Sequence, residues 1–563
     1  MSANFWPLLA LSVMVSAGIP EKCDGRSQAR SMVISRQGIV ATSQTLASQA
    51  GAQVLARGGN AVDAAIAANA VMQVVEPMSN GMGGDLFVIY WEARTGKLYG
   101  LNASGWAPRG LSIAFLRAKG LSSMPQTGIH SVTVPGCVDG WDKLHARFGR
   151  LPWSDLFKPA IYFAREGFPV TELIHGGWQA AAGKLKGTFF LPGGRAPETG
   201  QVFQNPDLAR AFERVASGGA GVFYRGEIAK AVLRVSEQAG GTMQASDLAE
   251  FSAEWVEPIS IDYRGWKVYE LPPNGQGMAA LEMLNLMERL PLGGYEPAGA
   301  EALHWKIESQ KLAYADLRRY LADPRFSTVP VGGLLSKDYA AARSALIDRA
   351  RARCEVPFGN PSKPLGDTIY LSAIDRDGNI VSLIQSLYNS FGSGVLVEGM
   401  GFHLQNRGGL FEMDADHPNA LAPRKRPFHT IIPGFMEKGG VKIGFGIMGG
   451  LNQAQAHAQF VSNLVDHGMN IQAALEAPRF TKMTFGGCDV MMERRIPAEV
   501  RQKLEAMGHK IEVLSDYAGQ VGGGQAVMRD IGSGVNFGAS SPRKDGAAVP
   551  EPAPYFETKP ARQ

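Results

Sequence analysis

Thr368 is the residue of this chain whose type and setting could carry out chemistry alone. It follows a segment, residues 351–365, that contains three prolines and little periodicity, and it heads a predicted β-hairpin. If the Asp367–Thr368 peptide bond opens, Thr368 becomes an N-terminal residue with a hydroxyl and a free amine. Such an amine has a reference pKa of about 7.7–8, so near neutrality it can accept the hydroxyl proton. Taken alone, the segment favours an ordinary β-branched threonine at the start of a strand. A self-generated threonine nucleophile is the alternative that this setting allows.

The turn residues after Thr368 predict the β-hairpin that would position it. A β-rich run covers Ile369 to Ile374, and a second run continues from Ile380. The residues between them, Asp375–Asn379, favour a tight turn in which Gly378 takes a positive φ. The sequence therefore predicts two short paired strands with Thr368 at their head.

Motifs around and far from Thr368 together resemble the γ-glutamyltransferase family of N-terminal-nucleophile hydrolases. Near the threonine they are Gly366-Asp367-Thr368, Asp375-x-Asp377-Gly378-Asn379-x-Val381-Ser382 and Phe391-Gly392-Ser393-Gly394. Elsewhere they are Gly58-Gly59-Asn60-Ala61-Val62-Asp63, Glu76-Pro77, Gly81-x-Gly83-Gly84, Gly449-Gly450 and the closing run Gly538–Gly546. Each motif alone is weak, but their order is specific, and the resemblance covers roughly residues 33–548.

The resemblance implies an α+β fold, a four-layer αββα sandwich made as one proenzyme. Cleavage between Asp367 and Thr368 would give a large subunit, residues 33–367, and a small subunit, residues 368–548 with the chain continuing to 563. The two would interleave in one domain as a heterodimer, with dimerisation of that unit left open. No cofactor and no metal are implied.

The resemblance also implies catalytic roles. Ser386 would orient Thr368, and the backbone of Gly449 and Gly450 would bind the oxyanion formed on the substrate carbonyl. On sequence grounds alone, a serine in the position of Ser386 is more often an ordinary strand serine. The run from Gly444 to Gly449 also contains a G-x-G-x-x-G pattern, but no βαβ unit follows it, so a dinucleotide site is rejected.

The substrate pocket departs from the pattern of well-studied family members. The arginine that holds the glutamyl carboxylate in those members corresponds to Ser104, and the aspartate that holds the amino group corresponds to Leu410. The pair of hydroxyl residues after Lys-Arg-Pro corresponds to His429 and Thr430. Without the two charged partners, a zwitterionic glutamate would lack charge-assisted hydrogen bonds worth roughly 1.5–3 kcal/mol each.

The motifs Ile384–Tyr388 and Gln405–Gly408 look more like the oxamate amidohydrolase branch. On that interpretation Arg407 would hold a small substrate carboxylate, with Tyr388 nearby. A surface or loop-pinning role is the alternative for Arg407. Leu451, where that branch often has an aspartate, leaves the exact substrate open.

The sequence also predicts where two helices and one further strand begin or end. A helix is predicted from Thr45, with Thr45 as its N-cap, and a second, wholly apolar helix follows the cap Asn60 and runs to about Val75. The strand 87–91 is predicted after the glycine loop. The residues beyond Ala548 are rich in proline and alanine and are predicted to fray.

Composition limits the partners and the location. A net charge of +4 on 563 residues argues against nucleic acid or an anionic membrane as the main partner. The four cysteines show no metal-binding spacing, and a disulfide between two of them is left open. Residues 1–20 carry no charge and are mostly apolar, which favours a signal peptide and a periplasmic or secreted protein, with the cytoplasm as the alternative.

Three hypotheses remain. The first is an amidase or transferase acting on γ-glutamyl compounds through an acyl-enzyme. The second, favoured by Ser104 and Leu410, is an oxamate-type amidohydrolase or acylase for small acidic amides. The third is a proenzyme that never matures and serves as a binding protein.

Overall fold

The computed structural model describes residues 28–360 and 371–555. The strands are β1 Val33–Ser35, β2 Ile39–Ala41, β3 Asp85–Glu92, β4 Lys97–Ala103, β5 Phe168–Pro169, β6 Val202–Phe203, β7 Glu254–Val256, β8 Ile259–Tyr263, β9 Trp266–Glu270, β10 Leu371–Ile374, β11 Ile380–Ser386, β12 Leu396–Val397, β13 Phe402–His403, β14 Gly434–Lys438, β15 Val441–Ile447, β16 Phe480–Thr481, β17 Asp489–Glu493, β18 Lys510–Leu514, β19 Gly524–Asp530, β20 Val535–Ser540 and β21 Ala548–Pro550. The α-helices are α1 Thr45–Ala56, α2 Ala61–Val75, α3 Ile113–Ala118, α4 Cys137–Phe148, α5 Lys158–Glu166, α6 Glu172–Ala181, α7 Pro206–Tyr224, α8 Glu227–Gln238, α9 Ala245–Ala249, α10 Gly277–Met287, α11 Ala300–Tyr320, α12 Val331–Leu334, α13 Lys337–Ser344, α14 Asn452–Val465, α15 Ile471–Glu476 and α16 Ala498–Ala506. Short 3-10 turns include Arg407–Leu410.

Two antiparallel sheets form the centre of the molecule. Within the described residues each has seven strands: sheet I has the order β1-β20-β19-β15-β14-β9-β8, and sheet II has the order β21-β2-β10-β11-β3-β4-β7. Both sheets combine strands from before residue 360 with strands from after residue 371. The two halves of the chain are therefore interleaved in both sheets.

The packing of the sheets gives four layers. Between the two sheets, sheet II contributes the buried side chains of Phe87, Ile89 and Ile384, which pack against Phe435 and Val527 of sheet I. The opposite face of sheet II packs on a large helical layer that includes α1, α2 and α4, and the outer face of sheet I packs on α10, α11 and α14. The order is helix, sheet, sheet, helix, so the predicted αββα sandwich is confirmed.

The helix α2 packs against the hairpin β10–β11, and each has the local features that its sequence predicts. Asn60 accepts hydrogen bonds from the backbone N–H groups of Val62 and Asp63, and the Asp63 side chain closes the capping box. Every residue of α2 is buried. In the hairpin Gly378 takes a φ of 89°, which only glycine adopts without strain. Both predicted features are confirmed.

Two boundary predictions are wrong. Thr45 is the first helical residue of α1, and the N-cap is Gln44, whose side-chain oxygen accepts from the Leu46 N–H at 2.6 Å. The segment after Ala548 does not fray at once, because β21 pairs with β2. Glu551 is buried beyond it and accepts a hydrogen bond from the Gly38 N–H at 2.9 Å.

The strand in which the G-x-G-x-x-G pattern begins, β15, lies between antiparallel neighbours. β15 pairs with β14 on one side and with β19 on the other. A dinucleotide fold requires a parallel βαβ unit at this point. The topology therefore agrees with the rejection of that site.

A disulfide joins distant parts of the described chain. Cys354, which follows α13, is bonded to Cys488, which precedes β17 in the small sheet β16-β17-β18. Cys137 is a free, buried thiol. No helix in residues 28–360 or 371–555 combines the length and apolarity that crossing a bilayer requires.

Candidate active site

A cavity of about 550 Å³ opens where β11 and β15 end. Its wall contains six of the residues singled out from the sequence, namely Ser386, Tyr388, Arg407, Thr430, Gly449 and Gly450. These residues come from four separate stretches of the sequence. The fold therefore brings together in one cavity the predicted hydroxyl, oxyanion and carboxylate-binding groups.

Ser386 is the last residue of β11 and stands directly opposite Asp85 of β3. Its hydroxyl accepts a hydrogen bond from the Tyr388 N–H at 2.7 Å. Tyr388 has a φ of 76°, a left-handed conformation that is uncommon for a non-glycine residue. This bond therefore fixes both the serine rotamer and the sharp turn that carries the chain away from the sheet.

Gly449 and Gly450 connect β15 to α14. Their φ angles are 129° and 61°, in the region that side chains disfavour. The Gly449 carbonyl accepts from the Asn452 N–H at 3.1 Å, and in the described part of the chain no acceptor is bound to the Gly449 N–H. The N-terminus of α14, with its partial positive charge, begins two residues later. The junction suits a negative charge that develops in the cavity.

Arg407 is fully buried in the short turn that follows β13, so the surface alternative is wrong. Its Nη1 donates to the Thr430 hydroxyl at 2.6 Å, and its guanidinium lies 4.7 Å from the centre of the Tyr388 ring. A buried, planar and stacked guanidinium is well suited to hold a carboxylate by two parallel hydrogen bonds. Gln276 supports this wall by donating to the carbonyls of Thr430 and Gly450, each at 2.9 Å.

Ser104 and His429 are not among the residues that line the cavity, and their contact with substrate stays a prediction. The Ser104 hydroxyl is 2.7 Å from Asn102 Oδ1 and 3.2 Å from Asn274 Oδ1. The His429 ring is fully buried, with Nε2 2.9 Å from a carboxylate oxygen of Asp85. The side chains of both residues are engaged by internal partners.

Burial controls the protonation of this internal pair. Burial, reinforced by Arg407 and Arg426, depresses the pKa of His429 well below its usual range. His429 is therefore neutral and donates its Nε2 proton to Asp85. Burial raises the pKa of Asp85 to about 7, against the opposing effect of Arg407.

A buried ion pair forms the far wall of the cavity, and sequence analysis gave it no role. Glu76 accepts from Lys544 at 2.8 Å, from Ser79 at 3.0 Å and from Ser43 at 2.5 Å. Burial alone would raise the pKa of Glu76, but these partners hold it below its usual range. In the sequence, Glu76 and Lys544 each stand in a family motif, but the two motifs are far apart and nothing in them indicates that the two side chains meet.

Away from the cavity, one cluster of the described residues has metal-ligand composition. Ligand atoms of His304, Glu308 and His509 lie within 4.8 Å of one another. Lys311, however, donates to Glu308 at 2.6 Å, and His304 Nδ1 lies 2.8 Å from His509 Nε2. Burial together with Lys311 lowers the pKa of His509 to about 3. An ammonium group and a histidine pair already satisfy these atoms, so the cluster supports no metal assignment.

The predicted nucleophile Thr368 and its neighbour Asp367 lie outside the described residues. Leu410, the position of the missing aspartate, faces a second cavity of about 730 Å³ that shares Leu451 with the first.

The fold and the cavity define a hydrolase of the N-terminal-nucleophile class. Residues 47–551 match the gamma-glutamyltranspeptidase family, and the chain belongs to that family.

Relatives within the family differ in their named activities. The chain is 37% identical to the glutathione hydrolase-like YwrD proenzyme of Bacillus subtilis, over 92% of this chain and 99% of the relative. It is 33% identical to the oxamate amidohydrolase proenzyme of Klebsiella pneumoniae, again over 92% and 99%. Among solved structures, cephalosporin acylase from Bacillus halodurans is 42% identical, covers 94% of this chain and 98% of its own, and superposes with a TM-score of 0.87.

Proposed function

We propose that the chain is a self-processing threonine amidohydrolase that cleaves amides of small acids bearing a free carboxylate. The observation that carries this proposal is the meeting of Ser386, the Gly449–Gly450 junction and buried Arg407 in one cavity. A nucleophile beside these groups would find an orienting hydroxyl, oxyanion donors and a carboxylate anchor. The names of the relatives, which include a glutathione hydrolase-like protein, an amidohydrolase and an acylase, fit amide-bond chemistry.

The register of the hairpin supports Thr368 as that nucleophile. β10 and β11 pair Leu371 with Leu383 and Ser372 with Ser382. β10 begins at Leu371, three residues after position 368 in the sequence, and β11 ends at Ser386. The end of β10 that follows Thr368 in the sequence is therefore the end of the hairpin at which the proposed orienting hydroxyl lies.

The reaction follows from these groups. The Thr368 hydroxyl oxygen attacks the substrate carbonyl while the α-amine of Thr368 takes the hydroxyl proton. The resulting oxyanion is stabilised by the backbone at Gly449–Gly450. When the intermediate collapses, the C–N bond breaks and the leaving amine receives the proton from the α-ammonium group. Water, deprotonated by the same amine, then cleaves the acyl ester and releases the acid.

The charged residues of the cavity wall determine which acyl group of a substrate the site would accept. Arg407 places a buried guanidinium in the cavity wall beside the oxyanion junction. Lys544, in the same wall, is paired with Glu76. Ser104 does not line the cavity and Leu410 faces another cavity, so the usual clamp for an α-amino acid head is missing. We therefore favour a dicarboxylic acid monoamide over a γ-glutamyl donor. A γ-glutamyl substrate remains the second candidate because of the similarity to the YwrD relative.

Maturation would leave two interleaved chains as a heterodimer, of up to 367 residues and of 196 residues. We also propose that the protein is exported. The apolar residues 1–20 favour this location, and the disulfide between Cys354 and Cys488 suits an oxidising compartment.

The first experiment is intact mass of the purified protein after reduction of the Cys354–Cys488 bond, followed by N-terminal sequencing of any fragment. We expect a fragment that begins Thr-Ile-Tyr-Leu, and Thr368→Ala should remain a single chain. A wild-type protein that stays uncut for days, without amidase activity, would favour the non-catalytic binding protein. Rates on glutaryl, oxamate and γ-glutamyl amides then separate the two catalytic alternatives.

A further inference from the structure

Asn452 begins α14 directly after the Gly449–Gly450 junction, and its side chain takes no part in the proposed reaction. The residue is fully buried and is not among those that line the cavity. Its side-chain Nδ2 donates to the Met448 carbonyl at 3.2 Å, and its backbone N–H donates to the Gly449 carbonyl at 3.1 Å. One residue therefore binds two consecutive carbonyl groups of the junction.

These two bonds set the direction of the proposed oxyanion donors. In a planar trans peptide, the carbonyl of one residue and the N–H of the next point in opposite directions. The Met448 carbonyl therefore fixes the direction of the Gly449 N–H, and the Gly449 carbonyl fixes that of the Gly450 N–H. Asn452, which binds both carbonyls, lies outside the cavity lining, whereas both glycines line it. Both N–H groups are thus directed away from Asn452, towards the cavity.

The junction depends on Asn452 for this orientation. Gly449 and Gly450 have φ angles of 129° and 61°, and without a Cβ their own conformations restrain the peptide groups little. Among the described residues, no donor other than Asn452 Nδ2 is bound to the Met448 carbonyl. Gly522 closes off that side, because a Cβ there would lie 1.9 Å from the Met448 oxygen. The bond from Nδ2 is therefore what holds this carbonyl.

Stability alone does not explain an asparagine at this position. Its other side-chain atom, Oδ1, is buried and has no hydrogen-bond partner within residues 28–360 and 371–555. A buried acceptor without a partner costs about 1–3 kcal/mol, whereas a typical hydrogen bond contributes about 0.5–1.5 kcal/mol. The bond from Nδ2 therefore brings little net stability, and its evident effect is the direction that it gives to the junction.

We propose that Asn452 is a positioning residue that directs the backbone N–H groups of Gly449 and Gly450 towards the oxyanion. This inference rests on the proposed function, since it assumes that these two groups bind the oxyanion. Such donors stabilise the transition state most when their direction is fixed beforehand, because no reorganisation is then needed as the charge develops. Asn452 supplies the fixed direction without touching the substrate.

The test measures kcat and KM of the mature enzyme on whichever of the glutaryl, oxamate and γ-glutamyl amides wild type hydrolyses fastest. Asn452→Leu keeps the approximate shape and removes the donor. Its kcat should fall at every pH, by between about tenfold and the roughly thousandfold that a wholly lost donor costs. Its KM should stay within about threefold of wild type, because ground-state contacts with the substrate are unchanged.

Asn452→Asp makes the donor depend on pH. In acid the introduced carboxyl group is protonated and can donate to the Met448 carbonyl, whereas its ionised form can only accept. Burial raises the pKa of such a group, so kcat is measured from about pH 5 to 8 and divided by that of wild type at each pH. The ratio should lie within about threefold of one in acid and fall towards that of Asn452→Leu as the pH rises.

Asn463, near the other end of α14, provides a matched control. It is also buried, its Nδ2 also donates to a backbone carbonyl, that of Ala474, and it does not line the cavity. Asn463→Asp should therefore keep the kcat and KM of wild type at every pH. A merely structural role of Asn452 would instead lower the melting temperature of Asn452→Leu and would give Asn452→Asp no recovery of kcat in acid.

The outcomes separate failure of this inference from failure of the proposed function. A wild type that hydrolyses none of the three amides overturns the proposed function, and this inference with it. An active wild type, together with an undiminished kcat in Asn452→Leu or no recovery of Asn452→Asp in acid, overturns the role of Asn452 alone.

If no variant of Asn452 matures, a crystal structure of the mature wild type decides the question. The ligand is the boronic acid analogue of glutarate, in which boron replaces the reacting carbonyl carbon. The Thr368 hydroxyl oxygen bonds to boron while its proton passes to the α-amine, which gives a tetrahedral anion. We expect one boronate oxygen within about 3.2 Å of the Gly449 and Gly450 nitrogens, with Asn452 Nδ2 still on the Met448 carbonyl. Any other result overturns the proposal.

Discussion

Replacing Arg407 with lysine tests the assignment of the cavity most directly. Lysine keeps the positive charge and much of the length, but it has no planar guanidinium to stack on Tyr388 or to form two parallel bonds with a carboxylate. In the structure that guanidinium donates to Thr430 and lies 4.7 Å from the Tyr388 ring. The substitution therefore removes geometry while it keeps the charge.

The size of the effect follows from the hydrogen bond to the substrate carboxylate that lysine cannot make. One charge-assisted hydrogen bond contributes about 1.5–3 kcal/mol, which corresponds to a factor of about 10 to 150 in binding. We expect the KM of Arg407→Lys for a glutaryl anilide to rise by about that factor. The kcat should change little, because the nucleophile and the oxyanion donors are untouched.

The assay compares two substrates in the same variant. Initial rates are measured with the glutaryl anilide and with the matching anilide whose carboxylate is a carboxamide. The carboxamide should show a KM within about twofold of wild type, since its single acceptor oxygen cannot take two parallel hydrogen bonds and lysine can supply the one that it does take. Equal losses on both substrates, or no loss on either, would refute the role of Arg407 as the carboxylate anchor. A melting curve excludes general unfolding as the cause.

Three changes elsewhere test how the scaffold is held. Asn60→Ala removes the capping box of α2 and should lower the free energy of unfolding by about 0.5–2 kcal/mol; unfolding in urea measures this, and no change would mean that the cap is dispensable. In the uncleaved Thr368→Ala chain, Cys488→Ser opens a loop of 134 residues and should reduce stability by about 2–5 kcal/mol, an effect that dithiothreitol should reproduce in the Thr368→Ala chain that keeps Cys488 but not in the double variant. Lys544→Met leaves Glu76 buried without its cation and should cost about 3 kcal/mol at neutral pH. The pKa of Glu76 in the folded protein lies below its ordinary value of 4.5. The stabilisation by Lys544 is therefore fully present above pH 4.5 and is lost as the pH falls through the folded-state pKa. A melting curve in acid should then show little difference between Lys544→Met and wild type.

Local features of the fold could be predicted because their causes are local. The cap at Asn60 and the turn at Gly378 each depend on a few consecutive residues. The N-cap at Gln44 was not predicted because glutamine is rarely an N-cap, whereas threonine, the type of Thr45, is a preferred one. The strand β21 was missed because proline-rich ends usually fray, whereas here β2 offers an unpaired edge that the tail completes.

The site was only partly predictable for a different reason. Arg407, Ser386 and the glycine pair were identified because each stands in a motif of its own. The contact between Asp85 and His429 spans 344 residues of sequence, and the contact between Lys544 and Glu76 spans 468. Nothing in either local sequence shows that these residues meet. Conversely, Ser104 and His429 were placed on the substrate by position alone, and the hydrogen bonds that engage them become visible only in three dimensions.

The bond between Cys354 and Cys488 has a consequence for the matured protein. The two cysteines lie on opposite sides of the proposed cleavage point, so cutting the backbone would leave the two products covalently joined. Their association would then not depend on protein concentration, and neither chain could exchange with another molecule. On a denaturing gel the matured protein should run as one species without reductant and as two with it. Autocleavage would thus change the chemistry at Thr368 while leaving a single, undivided molecule.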